Sequence, residues 1–279
     1  MTLSEKIQHS TIRISTNLST GGNSTGTGFF FKFAEEENGN HVPVIITNKH
    51  VIQNSTSGSI RFTILKNGLP DYKNSKDYQI SNFQQYWIGH PDPEIDLCAM
   101  AIGPLINGEQ ANGNNFYFIS LDKSFIMSEE ELNELSALED IIMIGYPNGL
   151  WDSVNNLPIM RRGITATHPK MDYNGKQEFL IDAACFPGSS GSPVMLFNEG
   201  TYRSKKSIIV GNRVKLLGVL YAGPQHTATG SIKVVNIPVR QEPIAISRIP
   251  NNLGIIIKAN KILELEEAVI RELKKNSLF

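Results

Sequence analysis

The chain has 279 residues, of which 40% are hydrophobic and 19% are charged, and its formal net charge at neutral pH is −1. This length and composition are typical of a globular protein with one or two domains and a sizeable core. The near-neutral balance excludes the strongly basic surface that nucleic acids and anionic membranes select, so we expect neither as a partner.

The cysteines and the N-terminus bear on the cellular compartment. The chain has two cysteines, Cys98 and Cys185, and it has no Cys/His spacing typical of a zinc site. No apolar run near the N-terminus resembles a signal peptide, and none is long enough to span a bilayer. Because at most one disulfide can form, we interpret the two thiols as small buried apolar groups. We therefore predict a cytoplasmic protein that needs no metal and no other cofactor.

Short apolar runs bounded by Gly, Asn, Pro, Asp and Ser predict β-strands along most of the chain. They cover residues 11–16, 28–33, 44–47, 60–65, 97–102, 141–145, 159–166, 179–182, 193–197, 207–210, 216–221, 232–237 and 254–257. The polar segments 67–77 and 108–115 are interpreted as exposed turns. Many short strands with few helices between them predict an all-β barrel or sandwich.

Two helices interrupt the strand pattern. Ser128 followed by three glutamates is a capping box, which predicts a linker helix over about residues 128–138. A second helix is predicted over about residues 260–275, with a stripe of apolar residues at helical spacing: Ile262, Leu265, Val269 and Leu273. We expect this stripe to pack on its own domain, and docking of a partner protein is the alternative.

The linker helix divides the strands into two comparable groups. We predict one domain over residues 1–258, built from an N-terminal part at about 8–121 and a C-terminal part at about 139–258. The last helix, within residues 259–279, would pack on this domain.

Three residues beside predicted strands point to nucleophilic catalysis. His50 follows an apolar strand, Asp96 precedes another, and Ser190 lies in the turn Gly188-Ser189-Ser190-Gly191-Ser192-Pro193. A serine hydroxyl is a weak nucleophile at neutral pH, but a histidine can take its proton and return it to a leaving group. A carboxylate on the other ring nitrogen fixes the tautomer. Backbone N–H groups in the glycine-flanked turn can face a developing oxyanion.

The motifs resemble those of trypsin-like (chymotrypsin-fold) serine peptidases, and most closely the bacterial HtrA-like branch without a PDZ domain. The matching segments are Gly26-Thr27-Gly28-Phe29, Thr47-Asn48-Lys49-His50-Val51, Ile95-Asp96-Leu97 and the turn from Gly188 to Pro193, and residues 181–188 resemble the run before the HtrA serine. The resemblance implies two antiparallel six-stranded β-barrels with the active site between them. In that arrangement His50 is the general base, Asp96 orients it, Ser190 is the nucleophile, and the N–H groups of Gly188 and Ser190 form the oxyanion hole.

The resemblance also implies a binding site for a protein or peptide substrate. The strand ending in Leu220-Tyr221-Ala222-Gly223 would pair with an extended peptide, whose main chain supplies affinity. Ala184 would lie at the base of the primary pocket, and the absence of an acidic residue there disfavours substrates with Lys or Arg. Phe186 and Leu220 predict limited cleavage after small or medium apolar residues.

Ser189 departs from the family pattern, because trypsin-type members carry aspartate there and HtrA-like members carry asparagine. Activation by pairing of a new N-terminus with that aspartate is therefore not expected, and the geometry of the oxyanion hole stays open. A catalytically silent relative that binds peptides in the same cleft is the alternative function. An esterase of the α/β-hydrolase type is disfavoured, because the Gly-x-Ser-x-Gly spacing and the Ser-Asp-His order are absent.

Overall fold

The structure is a computed structural model that describes residues 1–205, 207–223, 225–231, 244–250 and 252–275. The helices are α1 (Leu3–Ile7), α2 (Lys49–Ile52), α3 (Gly103–Ala111), α4 (Glu129–Asn133) and α5 (Lys261–Lys275). The first eight strands are β1 (Thr11–Leu18), β2 (Asn23–Phe33), β3 (Val42–Thr47), β4 (Ser55–Lys66), β5 (Leu69–Ser81), β6 (Ile88–Gly89), β7 (Cys98–Ala101) and β8 (Phe116–Tyr117). The others are β9 (Asp140–Gly145), β10 (Ile159–Thr165), β11 (Glu178–Asp182), β12 (Pro193–Asn198), β13 (Thr201–Arg203), β14 (Ile208–Val210), β15 (Arg213–Ala222), β16 (Gln225–Ser231), β17 (Ile244–Pro250) and β18 (Leu253–Lys258).

Strands β1–β8 form one sheet, here called the N-terminal sheet, with the order β5-β4-β1-β2-β3-β7-β6 and with β8 paired to β4. Its pairs are antiparallel. The sheet curves around an apolar core that includes Ile12, Ile14, Phe30, Ile45 and Phe62. Successive residues of a strand point to opposite faces, so Phe29 and Phe31 of β2 enter a different core from Phe30.

The prediction that residues 67–77 form an exposed turn was wrong for most of the segment. Only Asn67 and Gly68 turn the chain, with φ of 52° and 78°, and β5 runs back along β4 from Leu69. Consecutive positive φ values at Asn-Gly are the conformation that a two-residue hairpin requires. Much of β5 is exposed at the edge of the sheet, so its sequence lacks the apolar alternation of a buried strand.

The C-terminal half contains a closed six-stranded barrel with the order β10-β11-β18-β15-β12-β9, here called the C-terminal barrel. Alternate residues of β9 explain its two cores: Ile141 and Met143 point into the barrel, while Ile142 and Ile144 face the core that it shares with β2. The expected architecture of two closed six-stranded barrels is found here for one barrel. Among the described strands, β5 and β6 are the two edges of the N-terminal sheet and do not pair with each other. A 3-10 turn at Phe83–Tyr86 lies between them and packs Phe83 on β4 at Gly58.

Helix α5 covers a core that lies between the N-terminal sheet and the C-terminal barrel. All four residues of the predicted stripe are buried in that core: Ile262, Leu265, Val269 and Leu273. Glu266 accepts a hydrogen bond from the backbone N–H of Ala34 at 2.7 Å and pairs with Lys123 at 3.1 Å. The helix is therefore held by polar bonds, to Lys123 and to the residue that follows β2, as well as by apolar burial.

Other sequence-based expectations have mixed outcomes. Helix α4 begins at the predicted Ser128 capping box but ends at Asn133, and α3 occupies part of the segment 108–115 that was predicted as a turn. The predicted strand 232–237 lies outside the described residues. Among the described residues, no helix has the length and apolar character needed to cross a bilayer.

Candidate active site

His50 lies on α2, a single helical turn that directly follows β3. The next two residues, Val51 and Ile52, are buried and anchor the turn. A Cβ atom at Gly26 would clash with the side chain of Val51, so β2 can approach the histidine turn this closely only with glycine at that position. The buried strand and the two anchors fix where the imidazole leaves the backbone.

Asp96 holds the imidazole of His50 in one orientation. Its Oδ2 lies 2.5 Å from His50 Nδ1, and its Oδ1 accepts the backbone N–H of His50 at 3.1 Å. The side chain of Asn48 donates to the backbone carbonyl of Asp96 at 2.7 Å. Because an ionised carboxylate only accepts hydrogen bonds, this contact requires a proton on Nδ1 and leaves Nε2 as the basic nitrogen. The structure thus brings together the two predicted residues of the N-terminal sheet.

Ser190 lies in a tight loop that we call the serine turn, residues 186–193. Gly188 and Gly191 have φ of 85° and 86°, a conformation that favours glycine. A Cβ atom at Gly188 would lie 2.6 Å from the carbonyl oxygen of Tyr146, and one at Gly191 would clash with the carbonyl oxygen of Thr27. The glycines are therefore required both by conformation and by close packing.

The predicted donors of the oxyanion hole are two backbone N–H groups of the serine turn. Within the described part of the chain, the N–H groups of Gly188 and Ser190 donate no hydrogen bond. The carbonyl oxygen of Pro187, in the peptide before Gly188, accepts a hydrogen bond from Asn148 N at 2.5 Å. Two free N–H groups in one turn can bind a developing negative charge.

Ser189, the departure from the family pattern, is buried, and its backbone closes the turn. Its N–H donates to Phe186 O at 3.0 Å, and its carbonyl accepts from Ser192 N at 3.0 Å. Its Oγ has no hydrogen-bond partner among the described residues. The geometry of the turn is therefore held by its backbone and not by the Ser189 hydroxyl.

Thr27 of β2 connects β3, the strand that precedes His50, to the serine turn. Its N–H donates to Ser190 O at 2.9 Å, and its Oγ1 donates to Gly188 O at 3.0 Å. Its carbonyl accepts the hydroxyl of Thr47, the last residue of β3, at 2.6 Å. The side chain also accepts Tyr146 N at 3.1 Å and is completely buried. The sequence motif contained Thr27, but nothing in the sequence assigned it this role.

The hydroxyl of Ser190 points at a backbone carbonyl and not at His50. Its Oγ donates to Tyr221 O at 3.4 Å, and no hydrogen bond joins it to His50 in the residues that the structure describes. Because a serine side chain moves between three staggered rotamers, this arrangement is one of the orientations open to the hydroxyl.

The predicted substrate strand is the end of β15, next to the serine turn. The backbone of Leu220 is fully used, since its N–H donates to Ser192 O at 3.0 Å and its carbonyl accepts Gly191 N at 2.8 Å. Its side chain is buried in the core of the C-terminal barrel, so it is not an exposed pocket wall. Pairing with β12 ends at Val219, so among the described strands β12 does not pair with Tyr221 and Ala222, and the Tyr221 carbonyl accepts only the long bond from Ser190 Oγ there. The Tyr221 phenol donates to Glu178 at 2.8 Å, and burial raises its pKa.

Residues 26–202, more than half of the chain, match the family model of the trypsin-like peptidase domain, and the span includes His50, Asp96 and Ser190. The chain belongs to this family.

The chain is similar to solved structures of proteases at low sequence identity, and no curated protein matches the sequence. The active form of the Rv3671c protease from M. tuberculosis is 12% identical, with 95% of this chain and 82% of that chain covered and a TM-score of 0.47. The thermostable serine protease AL20 from an extremophilic microorganism is also 12% identical, with 94% and 98% covered and a TM-score of 0.49. Catalytically active tobacco etch virus protease complexed with product is 12% identical, with 94% and 79% covered and a TM-score of 0.48.

The remaining predicted pocket residues of this trypsin-like peptidase domain contact an arginine that the sequence analysis did not single out. Arg161 Nη1 donates to Ala184 O at 2.9 Å, and its guanidinium carbon lies 4.9 Å from the centroid of the half-buried Phe186 ring.

Both cysteines of the chain are buried thiols outside any disulfide. Cys185 lies between Ala184 and Phe186, and burial raises the pKa of its thiol to about 11. Cys98 is also buried and free, as predicted for an apolar role. Among the described residues, no cluster of three His, Cys, Asp or Glu side chains is placed to bind a metal ion.

Proposed function

We propose that the protein is a serine endopeptidase in which Ser190 is the nucleophile, His50 the general base and Asp96 the residue that orients His50. The observation that carries this proposal is the pair of bonds from Asp96 to His50, at 2.5 Å to Nδ1 and 3.1 Å to the backbone N–H. A carboxylate fixed to Nδ1 leaves Nε2 directed to take a proton, which is the arrangement that activates a serine. The family membership supports the same assignment.

The proposed reaction has two steps. Ser190 Oγ attacks the carbonyl carbon of the scissile peptide bond while its proton passes to His50 Nε2, and the negative charge on the carbonyl oxygen is held by the N–H groups of Gly188 and Ser190. The tetrahedral intermediate then collapses, the C–N bond breaks, and His50 gives the proton to the leaving amine. Water repeats the sequence on the acyl-enzyme and releases the second product. Each hydrogen-bond donor of the hole would contribute about 3 kcal/mol to transition-state stabilisation.

The hydroxyl of Ser190 has to leave the carbonyl of Tyr221 before it can meet His50. The present bond is long, at 3.4 Å, and neutral, so breaking it costs about 1 kcal/mol or less. A rotation about the Cα–Cβ bond of Ser190 is enough to release the hydroxyl.

A fluorophosphonate probe tests this proposal because it forms a covalent bond only with an activated serine. We expect labelling of Ser190 in the native protein, no labelling of Ser190→Ala and strongly reduced labelling of His50→Ala. His41→Ala is the control, since His41 is exposed and bonds only to Gly39 O in the described chain. A folded native protein that stays unlabelled would contradict an active serine.

A catalytically silent peptide-binding protein is the second candidate, and the bond from Ser190 Oγ to Tyr221 O favours it. In that case the cleft would bind extended peptides along Tyr221 and Ala222, but neither labelling nor cleavage would be observed. Peptide binding to Ser190→Ala and to the native protein would then be equal, with no product formed by either.

A further inference from the structure

Arg161 faces the interior of the C-terminal barrel. In the register of β10 and β9, it stands directly opposite Met143, which is buried in the barrel core. Directly opposed residues of two antiparallel strands project from the same face of the sheet. The next residue, Arg162, therefore projects from the outer face, and its side chain is 77% exposed.

The guanidinium of Arg161 has no anionic partner in the described part of the chain. Three other arginines are paired with carboxylates: Arg61 with Asp77, Arg162 with Asp140 and Arg213 with Glu139. For Arg161, the contacts are the Ala184 carbonyl and the Phe186 ring, and its buried Nε has no hydrogen-bond partner among the residues that the structure describes. A half-buried positive charge without a counter-ion is costly, and a ligand with a carboxylate would offset that cost.

The position of this charge is next to the predicted primary pocket. Ala184 and Phe186, which Arg161 contacts, lead directly into the serine turn. On the other side, a Cβ atom at Gly223 would lie 3.5 Å from Cys185 Cβ, so the end of the substrate strand lies next to Cys185, the residue between Ala184 and Phe186. The charge thus lies among the segments that flank Ser190 on both sides.

We propose that Arg161 is a specificity-determining residue that favours substrates with an acidic side chain at the residue whose carbonyl is attacked. This proposal rests on the proposed peptidase function and names its substrate class. It replaces the preference for apolar residues that Phe186 and Leu220 suggested, because that preference took no account of a charge facing the barrel interior. A carboxylate would form charge-assisted hydrogen bonds with the guanidinium, and an uncharged amide of the same shape would lose most of this gain.

The test compares four substrate libraries, and its main comparison is between Glu and Gln, which differ in charge but have nearly the same shape. Fluorogenic tetrapeptide libraries carry Glu, Gln, Asp or Leu at the last residue and mixtures at the other three. We expect kcat/KM for Glu to exceed that for Gln by about tenfold or more, the size of one charge-assisted hydrogen bond. Arg161→Gln should bring the ratio close to one, and Arg161→Lys should keep part of the preference. Arg162→Gln is the matched control and should leave the ratio unchanged.

A purely structural role for Arg161 predicts a different result. If the arginine only holds Ala184 and Phe186 in place, Arg161→Gln would lower turnover of all substrates equally and leave the Glu to Gln ratio unchanged, which would overturn the proposal. Cleavage of Leu or Gln substrates by the native protein as fast as Glu substrates would overturn it too. Thermal unfolding of each variant shows whether it is folded, and the native ratio decides the question if Arg161→Gln does not fold.

The outcome of this test is separate from that of the proposed function. Labelling of Ser190 by the fluorophosphonate with no acidic preference would remove only the role of Arg161. If no labelling occurs, the same charge preference is measured as binding of acetyl-Ala-Ala-Ala-Glu-amide and its Gln counterpart to Ser190→Ala by NMR titration. Equal affinities there would overturn the proposal, and tighter binding of the Glu peptide that is lost in Arg161→Gln would support it.

Discussion

The N-terminal sheet and the C-terminal barrel hold their parts of the site in different ways. His50 and Asp96 are joined by two direct hydrogen bonds, and both belong to the N-terminal sheet region. Ser190 belongs to the barrel region, and among the described residues its side chain bonds only to a carbonyl of the same region. The proposed base is therefore assembled within one region, whereas the proposed nucleophile would still have to turn toward it. Alignment between the two depends on backbone and buried side-chain bonds, among which those of Thr27 are central.

The largest effect is expected within the assembled pair. Asp96→Asn keeps the shape of the side chain but offers an amide to Nδ1, so the imidazole is held in the wrong tautomer. We expect turnover to fall by roughly 10³- to 10⁴-fold with little change in stability. The measurement is kcat/KM on the best library substrate, together with thermal unfolding.

Asp92→Asn is the matched control for this change. Asp92 lies in the same loop and accepts Glu94 N at 2.9 Å, a bond that an asparagine oxygen can also accept. Its turnover should stay close to that of the native protein. Normal turnover in Asp96→Asn would show that Asp96 has no catalytic role. The His50–Asp96 pair would then no longer distinguish the N-terminal sheet from the C-terminal barrel.

A smaller effect is expected where the two regions meet. Thr27→Val keeps the volume but removes the hydroxyl, which leaves Gly188 O and Tyr146 N without that buried partner. The serine turn would shift relative to His50, and a displacement of about 1 Å can cost about 100-fold in rate. We expect kcat to fall by roughly 10- to 100-fold while KM changes little, since the substrate strand is not touched.

Two variants separate positioning from general destabilisation. Thr27→Ser restores the hydroxyl and should recover most of the rate. Thr25→Val alters a less buried threonine of the same strand and should leave the rate unchanged. If Thr27→Val loses activity only at temperatures where it unfolds, the hydroxyl serves stability and does not align the two regions.

The sequence predicted the local parts of the site better than their assembly. His50, Asp96 and the serine turn each follow or precede a buried strand, and such local patterns can be read from the chain. The contact between His50 and Asp96 was inferred by resemblance and is present in the structure. The sequence could not show that the side chain of Arg161 points into the C-terminal barrel. Of two consecutive arginines in β10, one side chain faces the barrel interior and the other faces outward, and only the register with β9 decides which one is inside. The bonds of Thr27 also depend on residues far away in sequence.

In the fold too, features set by neighbouring residues could be predicted from the sequence better than features set by distant ones. The Asn67-Gly68 pair was a readable hairpin signal, yet the charged residues of β5 hid the strand that follows it. Closure of a sheet is less readable, since it depends on whether the two edge strands meet. In the C-terminal barrel they do, and in the N-terminal sheet the turn at Phe83–Tyr86 intervenes.

The smallest expected effect distinguishes the two regions by their response to acid. His9, before β1, is buried against the rings of Tyr72 and Tyr117, and burial lowers its pKa to about 4. In the unfolded chain its pKa is near 6.5, so between these values the unfolded state binds more protons and stability falls as pH falls. From these two pKa values we expect a loss on the order of 2 kcal/mol between pH 7 and pH 4.5. Urea unfolding at both pH values should show a smaller loss in His9→Gln, whereas His41→Gln, at an exposed position, should behave like the native protein. Equal losses in all three proteins would show that acid acts elsewhere and that burial of His9 does not make the N-terminal region the more acid-sensitive of the two.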